Sequence, residues 1–167
     1  MSDLYSELLV KKEQTMKDKL VKGGLIALIV IFVIGGLLIT PILLIAAIAA
    51  GVAAYFILPG TDLEFEYLYV NGELDIDKIM SKQKRKRVGS YDMKKVEIVA
   101  PKNSHELDSF RNRKDIKVHD YSSLEENAKT FGMAINGDKG MELIYFDPNE
   151  AIIKDMQRIA PRSVKLY

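Results

Sequence analysis

The sequence contains no cysteine. A disulfide framework, thiolate metal sites and a cysteine nucleophile are excluded together, and the chain suits a reducing compartment. Histidine is scarce as well: His105 falls in a loop-like stretch, and His119 stands beside Asp120 on an expected strand. Adjacent strand residues point to opposite faces, so His119 and Asp120 do not read as a catalytic pair. No serine is framed by glycines in the manner of a nucleophile elbow. No glycine-rich loop leads into a helix to cradle phosphates, because "AINGDKGME" reads as strand, turn and strand. The expectation is a protein that is not an enzyme, with no cofactor, no metal site and no catalytic residue. An excess of positive charge is also missing. Residues 62–167 hold 19 basic and 19 acidic side chains, and the net charge of the whole chain is +1. This is not the composition of a protein that coats nucleic acid.

Charge is missing altogether from Gly23 through Thr61. That run reads "GGLIALIVIFVIGGLLITPILLIAAIAAGVAAYFILPG" up to Gly60, and as one helix it would be about 55 Å long, far more than a hydrocarbon core of about 30 Å. Thr40-Pro41 is the natural break, since proline lacks an amide proton and pushes its predecessor out of helical geometry. Gly35-Gly36 loosens the chain just upstream. The two halves, Gly23–Ile39 and Ile42–Leu58, are each near the short limit for a membrane span. The reading is a transmembrane helical hairpin over 23–58. Its rivals are a single kinked span, a hairpin re-entering one leaflet, and a cleaved signal peptide suggested by "AIAAGVAA". The last conflicts with the length of the apolar run. Lys11, Lys12, Lys17, Lys19 and Lys22 precede the run, and eight basic residues follow between 78 and 95. Two basic flanks around an uncharged turn place both termini in the cytoplasm of a two-span protein of the cell membrane.

Polar groups are nearly absent inside these spans, where only Thr40 and Tyr55 carry them between Gly23 and Leu58. A transport pathway or proton relay needs more. Ala46, Ala50 and Ala54, with Ala47 and Gly51 beside them, have the spacing that lets helices approach closely. They suit packing of the hairpin on itself, or assembly with a membrane protein partner or a second copy. Residues 1–22 are expected to form a cytoplasmic amphipathic helical segment, with Leu4, Tyr5, Leu8, Leu9, Met16 and Leu20 on one broad face that Lys12 and Lys19 interrupt.

After Pro59-Gly60 the period becomes two. "DLEFEYLYVNGELDIDKIM" is a hairpin turning at Asn71-Gly72. Further strands are expected near Lys84–Ser90, Lys95–Ala100, Lys117–Tyr121, Ala128–Ile135 and Met141–Phe146, the last two joined at "NGDKG". A helical turn or loop is expected between Asn103 and Phe110. In "FDPNEAIIKDMQRIAP", Asp147 is the expected cap, Pro148 the first helical residue, and Ile152, Ile153, Met156 and Ile159 one apolar stripe. Seven strands and one amphipathic helix describe a small, mostly antiparallel β-barrel or sandwich with a C-terminal capping helix. The fold class is therefore membrane-anchored α+β, with the β domain over 62–167.

The segments "EFEYLYVNGELDIDKIMSKQKRKRV…DMKKVEIVAP" and "YFDPNEAIIKDMQRIAP" resemble bacterial pleckstrin-homology-like (PH-like) domains tethered to membrane helices. More narrowly, they resemble an uncharacterised family of small bacterial membrane proteins with a PH-like cytoplasmic domain. The resemblance covers about residues 62–161. It implies the fold and a module that binds lipid headgroups, peptides or proteins; it transfers no site.

The run "SKQKRKRVG" packs five positive charges into nine positions. An acidic cluster precedes it: Asp62, Glu64, Glu66, Glu73, Asp75 and Asp77. The Asn-Gly turn sets Glu66 opposite Asp77, a like-charge pair that destabilises the sheet. A following strand that turns around Lys82-Gln83 brings Arg87 beside Asp77 and Arg85 beside Ile79. The structural set is then Glu66, Asp77 and Arg87, with Arg85 as a further member. Lys82, Lys84 and Lys86 are left without evident partners, at a strand end a few residues from the last span. Basic groups there gain about 1 kcal/mol each near an anionic leaflet. Nucleic acid is disfavoured because the run holds no aromatic residue for stacking. The leading function is a non-enzymatic membrane protein whose PH-like module binds anionic lipid or a partner protein at the cytoplasmic face. The alternative is an accessory or scaffold subunit of a larger membrane complex.

Overall fold

A computed structural model describes residues 5–137 and 140–166. The chain divides into two compact units: Glu13–Leu63 with Met80–Lys84, and Met1–Lys12 with Glu64–Ile79 and Arg85–Tyr167.

The first unit is a pair of antiparallel helices, α1 (Met16–Leu38) and α2 (Ile42–Ile57), joined at Thr40-Pro41 and packed on each other. α1 starts seven residues before the uncharged run because Thr15 builds a capping box. Its hydroxyl accepts from Asp18 N–H, and the Asp18 carboxylate accepts from Thr15 N–H. A 3-10 turn, Leu58–Thr61, extends α2, so the apolar stretch Ile42–Thr61 is 20 residues long beside the 23 of α1. Both are long and apolar enough to cross a membrane. Small residues make the contact. Gly36 is the one buried residue of α1; a Cβ there would meet Leu44 N at 3.0 Å and its side chain closer still. On α2 the buried residues are Ala47, Ala50 and Ala54, with Ala46 half-buried at their side. Gly35-Gly36 therefore serves close approach rather than mere loosening.

The second unit holds two four-stranded sheets. The first runs in the order β1 (Tyr5–Lys11), β2 (Leu63–Val70), β3 (Glu73–Met80), β4 (Lys84–Asp92). The second comprises β5 (Val96–Pro101), β6 (Lys117–Asp120), β7 (Phe131–Gly137) and β8 (Gly140–Phe146), in the order β5-β7-β8-β6. β7 pairs antiparallel with β5 and β8, and β6 runs parallel to β8. Between β5 and β6 the 3-10 turn His105–Leu107 runs into a single helical turn, α3 (Asp108–Arg111). The turn expected at "NGDKG" includes residues 138–139, outside the described residues, as are Leu4 and the other residues before Tyr5.

Three expectations are corrected. The N-terminal segment is not a helix through residue 22: β1 pairs antiparallel with β2 from Tyr5↔Val70 to Lys11↔Glu64. Leu8 and Val10 turn inward onto the core while Tyr5 and Leu9 stay exposed, which is the strand period of two. The sheets do not close into a barrel, since β1 and β4 end one and β5 and β6 the other. The free edge of β5 is taken by the C-terminal segment, with Val99 N–H donating to Ser163 O and Lys165 N–H to Val99 O, both at 2.8 Å. The closing helix, α4 (Glu150–Ile159), is capped by Asn149, whose side chain accepts from Ile152 N–H; Asp147 accepts instead from Ser123 N–H.

The main core joins both sheets and α4 through Phe65, Tyr67, Tyr69, Leu74, Ile76, Met133, Ile144, Phe146, Ile152 and Met156. At the β2–β3 turn Asn71 and Gly72 have φ of 49° and 93°, the left-handed pair such turns demand. Gly72 also faces Ile159 of α4, where a Cβ would come within 3.1 Å.

Candidate functional site

β3 and β4 are joined by Ser81, Lys82 and Gln83, and Gln83 N–H donates to Met80 O at 3.1 Å. Ser81 and Lys82 both sit in left-handed backbone, with φ of 48° and 57°. Neither is glycine, so each carries steric strain of about 1 kcal/mol or more. Ser81 N–H donates to Asp62 O at 2.8 Å, which ties the turn to the segment following α2.

Beyond the turn, alternation divides β4. Arg85 and Arg87 share the face occupied by the carboxylates of β2 and β3. Arg85 reaches both Glu66 and Asp77, with its Nε 2.6 Å from Asp77 Oδ2. Arg87 reaches Asp75 at 2.9 Å and Asp77 at 3.4 Å. Glu66 and Asp77 are buried, and each guanidinium is about half exposed. Without these cations two buried carboxylates would face each other in a low dielectric. Arg87 does not itself reach Glu66; the long diagonal reach of Arg85 makes that contact. Glu64, also buried, lies opposite Lys11 on β1. Glu66, Asp75 and Asp77 are thus answered by the two arginines of their own sheet.

Lys82, Lys84 and Lys86 are exposed and have no acidic partner among the described residues. Lys82 tops the strained turn, and Lys84 and Lys86 alternate with the arginines along β4. Lys84 also lines a cavity of about 220 Å³ with Ala54, Tyr55, Leu58, Pro59, Met80, Ser81 and Gln83. Sequence patterning missed this cavity, because it combines a helix end with a turn twenty residues further along the chain. Of the small-residue set named from sequence, Ala54 borders this cavity, while Ala50 and Ala54 are buried in the hairpin and Ala46 stands at its margin.

The histidines do not converge. His105 is fully exposed, with Nδ1 3.1 Å from Asp108. His119 stacks on Tyr121 and stands 3.7 Å from Glu142, whereas Asp120 accepts from Ser122 N–H and Oγ–H. His119 and Glu142 line a polar cleft of about 500 Å³ with Lys117, Tyr91, Asp92 and Glu73. Among the described residues no group of three metal-ligating side chains comes together. The buried phenols are held neutral. Desolvation pushes Tyr67 and Tyr91 far up and Tyr69 up to about 12.

The model of the family described as "Bacterial PH-like domain (DUF6106)" matches residues 2–166, and the chain belongs to that family. The match takes in the residues of β1 and of both apolar helices along with those of the sheets. No curated protein and no solved structure matches the chain.

Proposed function

We propose that this member of the bacterial PH-like family is a non-enzymatic binding module anchored in the cell membrane by α1 and α2, with both termini in the cytoplasm. Its ligand is the anionic headgroup layer of that membrane. The observation carrying this reading is the place of the helices in the topology. Residues 12–62 connect two strands that pair side by side, since Lys11 lies opposite Glu64. A connection that leaves and returns to one strand pair crosses a bilayer an even number of times. This favours two spans over a single kinked one. Lys17, Lys19 and Lys22 at the start of α1 and the lysines near Met80–Lys84 mark the open end of the hairpin as the cytoplasmic one. Lys82, Lys84 and Lys86, which have no acidic partner among the described residues, supply the headgroup contact, each worth about 1 kcal/mol at an anionic surface.

Topology is tested with a compartment-sensitive reporter placed before Met1 and, separately, after Tyr167. Opposite locations end the two-span reading. Headgroup contact is tested by hydrogen exchange of the full chain in nanodiscs of phosphatidylglycerol against phosphatidylcholine. Amides of residues 82–87 should exchange more slowly in the anionic discs, and high salt should erase the difference. Equal exchange in both would overturn the lipid ligand. A protein chain that co-purifies and protects the same amides would support the scaffold-subunit alternative.

A further inference from the structure

The cavity at the foot of α2 is divided sharply by chemistry. Ala54, Tyr55, Leu58, Pro59 and Met80 form an apolar wall; Ser81, Gln83 and Lys84 form a polar lip without a single carboxylate. A purely apolar occupant would strand the lip, and a purely hydrophilic one would gain nothing from the wall. The complement is an amphiphile with a negative head. At about 220 Å³ the space is smaller than the roughly 300–1,000 Å³ that encloses a whole small ligand. It fits part of a larger molecule whose remainder lies along the helix. The apolar stretch ends at Thr61, so Ala54 to Leu58 occupy its last turns, where acyl chains give way to headgroups in a bilayer. The lip is held in place at a cost: two non-glycine residues in left-handed backbone, fixed by the Ser81–Asp62 hydrogen bond. Strain of that kind persists where surroundings impose it, and it clusters at ligand sites.

We propose that this cavity seats one anionic phospholipid of the surrounding leaflet. Its phosphate meets the Lys84 ammonium and the polar groups of Ser81 and Gln83, and its upper acyl chain lies on Ala54, Tyr55 and Leu58. The inference rests on the reading of α1 and α2 as membrane spans, and it turns a diffuse basic surface into one stoichiometric lipid site.

The chain has no tryptophan, so Tyr55→Trp introduces a single indole, excited selectively over the tyrosines, on the apolar wall. The full-length variant is reconstituted in phosphatidylcholine nanodiscs containing a small fraction of phosphatidylglycerol, with one or the other lipid brominated. Brominated phosphatidylglycerol should quench the introduced indole several-fold more, per mole, than brominated phosphatidylcholine. Lys84→Gln should reduce that preference to near unity and Lys84→Arg should restore it. Lys114→Gln makes the same charge change in the exposed loop before β6, outside the cavity, and should leave it intact. Equal quenching by the two lipids, an equal loss with Lys114→Gln, or abolition of the preference by millimolar inorganic phosphate would overturn the lipid seat. Loss of the protein from membranes in alkaline carbonate would instead defeat the underlying two-span reading, so the two failures are told apart.

Discussion

Isoleucine and leucine do opposite things in the two units. In the β unit Leu74, Ile76, Leu143, Ile144 and Ile152 are wholly removed from solvent. In the helical unit Leu38, Ile39, Ile42 and Ile45 stand 68–81% exposed, while the buried contacts are made by glycine and alanine. The β unit brings its own apolar interior, built around tyrosines and a capping helix. The helical unit satisfies its backbone within each helix and presents apolar side chains outward. In water that surface would cost roughly 25 cal/mol per Å²; in lipid it costs nothing comparable. One unit is stable because of what it encloses; the other, on the proposed reading of α1 and α2 as membrane spans, because of what encloses it.

The most drastic test of that contrast removes the helices. Lys11 and Glu64 are strand partners, so residues 13–62 can be replaced by Asn-Gly to leave β1 and β2 as an ordinary hairpin. The shortened chain should be soluble and monodisperse without detergent, should keep its sheet circular dichroism, and should lose bilayer integration, keeping only a salt-sensitive contact of its lysines with anionic vesicles. Aggregation of a chain that unfolds cooperatively in detergent but not in water would show that the β unit does not carry its own interior.

Alkaline pH should separate the units next. Burial holds Tyr67, Tyr69 and Tyr91 neutral above the ordinary phenol value of 10.0. The stabilisation is complete below pH 10. It drains away as pH rises, because the unfolded chain then ionises first. Tyr69, pushed up to about 12, alone contributes on the order of 2 kcal/mol of that loss. Tyrosinate absorbance should therefore lag and then rise together with loss of sheet signal. Helical circular dichroism in detergent micelles should persist through the same range.

Arg85→Met comes third. It strands Glu66 and leaves Asp77 only its longer contact with Arg87, and should destabilise the β unit by about 2 kcal/mol; a fully buried cation would cost roughly 3–5. Adding Glu66→Gln and Asp77→Asn should recover most of the loss in a thermal melt. Failure of that rescue would mean that Arg85 acts through packing rather than charge.

What could be read from the sequence follows this division closely. The apolar run, its break at Pro41, the Asn71-Gly72 turn and the closing helix were legible because each signal is local. β1 was not, since its inward side offers only Ser6, Leu8 and Val10, and its partner lies more than fifty residues away. The capping box at Thr15 and Asp18 was present in the letters but obscured by the lysines around it. The open sheet arrangement depends on residues 163–165 occupying the edge of β5, a contact no pattern announces. At the candidate site the charge complementarity was legible, whereas the diagonal reach of Arg85 and the cavity beside Tyr55 arise only in the folded chain.

The smallest expected effect compares two turns within one sheet. Asn71-Gly72 and Ser81-Lys82 both place two residues in left-handed backbone, but only the first pair suits it. Nothing in the β3–β4 connection requires serine and lysine for folding. Ser81→Asn with Lys82→Gly should therefore raise stability by about 1 kcal/mol, read as a higher melting temperature. If the turn exists to hold a basic lip at the foot of α2, the stabilised variant should also lose part of its slowed exchange in phosphatidylglycerol nanodiscs. Higher stability with unchanged lipid protection would mean that the strain has no role in binding. A gain in one property against a loss in the other would mark this turn as the point where the sheet gives up stability for the membrane surface.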